Sequence, residues 1–201
     1  VRVVDDLSTG RKENLAAVAG NIDFRKSDIR DFESVRAACE GVEVILHLAA
    51  VSSVEKSIDD PLYVNAVNNT GSLNVMEAAR RAGARRVILA SSAAVYGDHP
   101  ELPKTEASPV QPLSPYAWQK LSGEFYGKSY GELYGVHFTA LRYFNVFGPR
   151  QDPGSPYSGV LSIFIDRALK DEPLTVFGDG GQTRDFIHVT DVAEINLLAA
   201  T

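Results

Sequence analysis

The chain has 201 residues, 44% hydrophobic and 23% charged, which suffices for one substantial core and at most one large domain. Its net charge of −6 gives no basis for binding nucleic acid or an anionic membrane, so a negatively charged substrate would need locally placed basic groups. A single cysteine, Cys39, excludes an internal disulfide and a cysteine-built zinc site, and its setting on a helical stretch predicts a small buried apolar residue. The four histidines (His47, His99, His137 and His188) are scattered, so no metal site is expected. No run approaches the ~18 apolar residues of a membrane span and no signal-peptide pattern is visible, which predicts a cytoplasmic location. The chain opens on VRVVDD, already inside an apolar run, and closes inside the helical VTDVAEINLLAAT, so a piece of something longer is expected.

Apolar runs of strand length alternate with longer helical patterns. RVVD (2–5), IDFRK (22–26), VEVILHLA (42–49), RRVILAS (85–91) and VHFTALRYF (136–144) read as strands whose nearly continuous Val/Ile/Leu content suits parallel strands covered on both faces. FESVRAACEG (32–41) reads as a helix stopped by Gly41. Residues 61–83 read as a helix with Asp60 as cap, Pro61 in the first turn and Gly83 at the end. Residues 114–135 repeat the arrangement with Ser114, Pro115 and Gly135. This alternation predicts an α/β fold with a doubly wound parallel sheet. After residue 144, NVFGPRQDPGSPYSG reads as loop, GVLSIFIDRALKDE as a helix, and LTVFGDGGQTRDFIHV as two short strands around a Gly-rich turn. Residues 145–201 are expected to begin a smaller, looser lobe.

Ligands of open α/β sheets bind beyond the carboxyl ends of the strands. The first strand ends in Asp5 and Asp6, either an exposed acidic turn or a carboxylate for both ribose hydroxyls of an adenosine, which would favour NAD over NADP. The second is followed by Asp28 and Ile29, either a helix start or an adenine contact. The third runs into HLAAVSS, where Ala49 and Ala50 permit close approach of a ligand, or simply close packing. The fourth ends in ASSAAVYG with Ser91 and Ser92 at its tip; Ser92 can hydrogen-bond a reacting oxygen or cap local backbone. The fifth ends in Tyr143 and Asn145.

In SPYAWQK (114–120), Tyr116 and Lys120 stand four apart, on one helix face. A free phenol with a pKa of about 10 is a poor base, and moving it near neutrality asks for roughly 4 kcal/mol of differential interaction. A neighbouring ammonium with a cationic nicotinamide can supply it. Tyr116 would then be general base and acid, Lys120 its electrostatic tuner and Ser92 the second partner of the reacting oxygen, for proton transfer at an alcohol coupled to hydride transfer at its carbon.

Ser92, Tyr116 and Lys120, in this order on these elements, resemble the catalytic triad of extended short-chain dehydrogenases/reductases. VVDDLSTG (3–10), DIRD (28–31), HLAA (47–50), SSAAVYGDHP (91–100), SPYAWQK, RYFNVFGPRQDP (142–153) and GDGGQTRDFIHVTDV (178–192) are similar to the UDP-glucose and UDP-N-acetylglucosamine 4-epimerase group. The resemblance implies a Rossmann-like NAD domain over 1–144 without its first βα unit, and over 145–201 the start of a nucleotide-sugar lobe interleaved with the sheet. It implies that Asp5, Leu7 and Ser8 hold the adenosine ribose of NAD, Asp28 and Ile29 its adenine, and Leu48, Ala49 and Ala50 its pyrophosphate and ribose, with Asn68, Tyr116, Lys120 and Tyr143 also on the cofactor side. Ser53, Ser92, Tyr116, Asn145, Phe177 and Arg184 match substrate positions, Phe177 near uracil and Arg184 on the diphosphate. The implied reaction inverts C4 of a UDP-sugar, glucose/galactose or the N-acetylated pair, through a transient 4-keto sugar. Relatives often dimerise through the helices at 61–83 and 114–135, which carry apolar residues on more than one face; burial within the monomer is the alternative.

Departures accompany the match. The family's G-x-x-G-x-x-G phosphate loop is absent, and GDGG at 178–181 lies elsewhere, so poor NAD binding and a weakened fold are expected of these 201 residues alone. Ala94 stands where some 4-epimerases carry a hydroxyl. A 4,6-dehydratase resembling this chain would carry an acidic pair where Ala93 and Ala94 stand, so elimination is the less favoured reaction. A non-catalytic nucleotide-binding fragment is the reading from another class.

Overall fold

Asp60 and Ser114 each precede a proline, and a helix begins at each. In the computed structural model, which describes residues 1–155 and 159–201, the Asp60 carboxylate accepts the Tyr63 amide and the Ser114 hydroxyl accepts that of Ala117. Pro61 and Pro115 occupy the first helical turn, where a missing N–H costs nothing.

The described elements run β1 (Arg2–Asp5), a 3₁₀ stretch (Lys12–Asn21), β2 (Asp23–Lys26), α1 (Phe32–Cys39), β3 (Val44–His47), α2 (Val54–Asp59), α3 (Pro61–Asn65), a π-helical turn (Ala66–Gly71) and α4 (Ser72–Ala82). They continue with β4 (Arg86–Ser92), a 3₁₀ turn (Ala93–Tyr96), α5 (Pro115–Tyr134), β5 (His137–Tyr143), β6 (Asn145–Phe147), α6 (Val160–Leu169), β7 (Phe186–His188) and α7 (Val189–Ala200). The five strands expected before residue 144 are present within a residue or two, and every strand pairing is parallel.

The strands do not hydrogen-bond into one sheet. β1 pairs with β2, β3–β4–β5 form a three-stranded sheet, and β6 pairs with β7. Helix packing joins the first two sheets: Val35 and Cys39 of α1 bury against Val75 and Ala78 of α4, with Ile29 after β2 and Ile45 of β3 against the same cluster. Asn74 of α4 donates to the Ile29 carbonyl at 2.9 Å. Cys39 is thus a core side chain, as expected.

β4 is the centre. Val87, Ile88 and Leu89 are almost entirely buried, each contributing roughly 1.5–3 kcal/mol by leaving water. Met76 and Ala79 of α4 cover Val87 together with Val136. On the other side lies α7, whose last carbonyls, Ala199 and Ala200, accept from Arg86 and Arg85 at 2.7 and 3.3 Å.

Three local expectations are corrected. Only Phe186–His188 is a strand within 174–189; Leu174–Asp185 is irregular, because the Gly-rich stretch finds no partner strand. Asn145–Phe147, read as loop, is a strand, since its backbone pairs with β7 across the sequence. That loop reading also extends over 156–158, outside the described residues. The helix at 61–83 is interrupted by the π-helical turn, where the Ser72 hydroxyl donates to the Asn68 carbonyl at 2.5 Å and the register shifts by one residue.

α5 lies close on its sheet because Gly123 and Gly127 face it. A Cβ at Gly127 would stand 2.1 Å from the Phe138 ring. Gly127→Ala, which in an open helix would gain up to about 1 kcal/mol, is therefore expected to lose roughly 1–3 kcal/mol of unfolding free energy in denaturant titration.

Candidate active site

The carboxyl ends of β3, β4 and β5 lie on one edge of their sheet, and the start of α5 lies against them. Strand register sets Ser92 at the tip of β4 beside Tyr143 at the tip of β5. Tyr116, in the first turn of α5, has its phenol close enough to Ser92 for that side chain to favour its ionised form. Lys120 lies one turn further along, its ammonium 5.8 Å from the centre of the Tyr116 ring and donating to the Ala90 carbonyl at 2.8 Å. Ser92 also accepts the Ala94 amide at 3.2 Å, so the hydroxyl serves the local turn and the phenol together.

Both ionisable members are buried, and burial disfavours their charged forms. The Lys120 ammonium, with a carbonyl but no carboxylate beside it, is pushed down to about 8. Burial raises the Tyr116 phenol above its ordinary value, and Ser92 opposes that only in part. Helical spacing puts the ammonium near the phenol, but the β4 backbone engages that ammonium, and in the chain by itself desolvation is the larger influence on the phenol.

A polar layer lies beneath. The Asn68 amide donates to the Val51 carbonyl (3.0 Å) and to Gln119 Oε1 (3.1 Å), and its oxygen accepts the Val51 amide (2.8 Å). Asn68 thereby ties the loop after β3 to the residue preceding Lys120. Buried His47 lies 2.8 Å from Ser72 Oγ. The Ser72 proton is committed to the Asn68 carbonyl, so His47 must donate from Nε2, and burial pushes its imidazole down to about 3. On the other flank Glu124, four residues after Lys120, accepts the Ser91 hydroxyl and both arms of Arg142, whose guanidinium also faces the Tyr96 ring at 4.9 Å.

The other sequence-predicted residues divide. Asp5, at the β1 tip, accepts the Leu7 amide at 2.7 Å, with Leu7 itself at φ 59°, and the Ser8 amide turns to Asp6. Asp28 is held by a bidentate Arg30, which keeps its carboxyl below the usual range, while Ile29 packs inward beside Gly71. Leu48 and Ala49 are exposed and Ala50 half-buried beyond β3. Ser53 is buried and caps α2 through the Lys56 amide. The Tyr143 hydroxyl accepts from Asn196 of α7 at 2.6 Å. Asn145 donates to the Asp185 carbonyl, Arg184 among the described residues donates to its neighbour's carbonyl, and Phe177 is 80% exposed, so none of the three is bonded to the triad. Sequence reasoning missed Gln119, Glu124, Arg142 and Asn196. Only Glu124 carried a signal, its i+4 spacing from Lys120.

Among the described residues no group of His, Cys, Asp and Glu side chains could hold a metal ion, and no helix is long and apolar enough to cross a membrane.

A lysine titrating near 8 in the fold and near 10.5 unfolded is charged in both states at neutral pH. The fold then carries a penalty on the order of 3 kcal/mol. The unfolded chain binds more protons between those values, so stability rises with pH from 8 to 10.5. Lys120→Met is expected to gain roughly 1–3 kcal/mol in denaturant melts at pH 7, shrinking toward nothing at pH 10.5.

The sequence model of the "NAD dependent epimerase/dehydratase family" matches residues 1–201. A UDP-glucose 4-epimerase of Mycolicibacterium smegmatis is 44% identical over 95% of this chain and 62% of its own. The structure of a UDP-N-acetylglucosamine 4-epimerase from Methanobrevibacter ruminantium M1, in complex with UDP-N-acetylmuramic acid, superposes with a TM-score of 0.95 at 43% identity, covering 100% of this chain and 64% of that one. The UDP-glucose 4-epimerase of Thermus thermophilus, complexed with NAD, gives 0.91 at 41%, covering 100% and 66%. The chain spans just under two thirds of these relatives. With a parallel α/β fold, a Ser–Tyr–Lys cluster at the strand tips and a family match along its whole length, the chain belongs to the NAD-dependent epimerase/dehydratase family.

Proposed function

We propose that the protein carrying this chain is a UDP-sugar 4-epimerase that uses tightly bound NAD, acting on UDP-glucose/UDP-galactose or on the N-acetylated pair. The observation that carries the reading is the placement of Tyr116 beside Ser92, with Lys120 on the same helix face, at the tip of the central strand. The names of the similar proteins support the substrate class.

The residues fit the cofactor. Asp5 ends β1 with one carboxylate oxygen engaged by the Leu7 amide, and the other accepts no hydrogen bond among the described residues, leaving it for a ribose hydroxyl beside Leu7 and Ser8. Exposed Leu48 and Ala49 with small Ala50 let a pyrophosphate approach the backbone beyond β3. Asn68 and Tyr143 are assigned to the same edge, and Asp28 with Ile29 to the adenine. NAD, held by these residues, would supply the hydride acceptor and donor that C4 of the sugar needs.

This chain's own groups handle the proton. Ser92 holds the 4-oxygen, and Tyr116 takes its proton as C4 is oxidised. In the free chain the buried phenol resists ionisation, so its proton leaves readily only when cationic charge is close, from Lys120 and from the ligand. The same phenol returns the proton when the keto sugar, turned over in the site, is reduced. Ser53, Asn145, Phe177 and Arg184 are assigned to the nucleotide sugar, with Arg184 pairing with the diphosphate and Phe177 beside uracil. Ala93 and Ala94 at the strand tip can exchange no proton, which favours epimerisation over elimination of water.

The proposal extends to a homodimer and a cytoplasmic location. Trp118, Phe125 and Tyr126 of α5 and Leu62 of α3 are exposed, and a groove of about 310 Å³ runs between Trp118, Leu121, Phe125 and Tyr126. Such apolar surface on one helix face suits a second copy.

Tyr116→Phe in the full-length protein is expected to cut interconversion of UDP-glucose and UDP-galactose, or of the N-acetylated pair, by roughly 10²–10⁴-fold, with UDP-sugar binding by calorimetry within about threefold of the parent. Full turnover by this variant would favour a non-catalytic role, and a 4-keto-6-deoxy product would assign the protein as a dehydratase. Phe125→Glu is expected to shift the protein toward monomer in sedimentation analysis.

A further inference from the structure

Ser57, in the last turn of α2, is fully buried and belongs to none of the groups assigned above. Its hydroxyl donates to the Val54 carbonyl at 2.6 Å and accepts the backbone amide of Tyr116 at 3.1 Å. That amide is one of the orphan donors at the start of α5. Pro115 has no N–H, and the Ser114 hydroxyl takes the amide of Ala117, so Ser57 is the partner that reaches α5 from another segment at the residue bearing the phenol.

The geometry makes this more than a cap. With Ser57 both donating and accepting, its hydroxyl rotor is fixed, and the Tyr116 backbone is pinned to α2. α2 hangs from the tip of β3, begins at Ser53, and follows a loop that Asn68 clamps at Val51 and links to Gln119. The phenol must meet Ser92 at the far end of its side chain, so a small shift at the backbone displaces the oxygen that has to face the sugar. We infer that Ser57 is a positioning residue for Tyr116, fixing the first turn of α5 against the loop after β3 so that the phenol oxygen and the Ser92 hydroxyl converge on one reacting atom. This rests on Tyr116 being the proton-transfer residue of the reaction proposed above.

The test uses the full-length protein with UDP-glucose or UDP-N-acetylglucosamine, whichever turns over. Ser57→Ala is expected to lower kcat at least about tenfold, with KM within about threefold. It should also move the acid limb of the kcat–pH profile upward by about half a pH unit or more, because a phenol drawn away from Ser92 and Lys120 ionises less readily. Val136→Ala, a core truncation at the opposite end of the sheet, controls for lost stability and should leave both unchanged. A kcat within twofold of the parent, or a loss matched by Val136→Ala with an unmoved limb, overturns the inference. If Ser57→Ala does not accumulate folded, Ser57→Cys, of similar volume with a weaker acceptor, is held to the same thresholds. Tyr116→Phe is measured alongside. Its inactivity beside a near-normal Ser57→Ala sinks the positioning role alone, whereas its turnover sinks the reading of Tyr116 and this inference together.

Discussion

One buried ammonium governs the site. Lys120 is carried into the protein on the first turns of α5, where among the described residues the Ala90 carbonyl of the central strand accepts its hydrogen bond. An aliphatic residue there would be cheaper for the fold. Helix, strand tip and the polar layer beneath can be understood as what is needed to keep a cation next to a phenol in a place where water cannot dilute the field between them.

The polar surroundings keep that arrangement from collapsing. Asn68 and Gln119 span from the loop after β3 to α5, His47 and Ser72 complete a chain of donors and acceptors below them, and Glu124 with Arg142 braces the other flank. Each buried polar atom in this layer has a partner, which is the condition under which such a network specifies one geometry.

Much of this was legible in the residues. Continuous Val/Ile/Leu runs fixed the position of β1 to β5, and Asp60-Pro61 and Ser114-Pro115 marked two helix starts, because local capping chemistry needs no distant partner. The i+4 spacing of Tyr116 and Lys120 gave the shared face. What stayed hidden depended on contacts far apart in sequence. Asn145–Phe147 is a strand only because Phe186–His188 lies beside it, and Ser57 matters only because Tyr116 is 59 residues away. Spacing along a helix reports proximity, whereas the desolvation that raises the Tyr116 phenol depends on everything else packed around the ring.

Asp5 and Asp28 ride on the β1–β2 pair and Ser92, Tyr116 and Lys120 on the three-stranded unit, and within the described residues the α1–α4 cluster and the Asn74 side chain join them. A truncation in that cluster, at Val75 for example, would therefore be felt at both groups of residues although it touches neither.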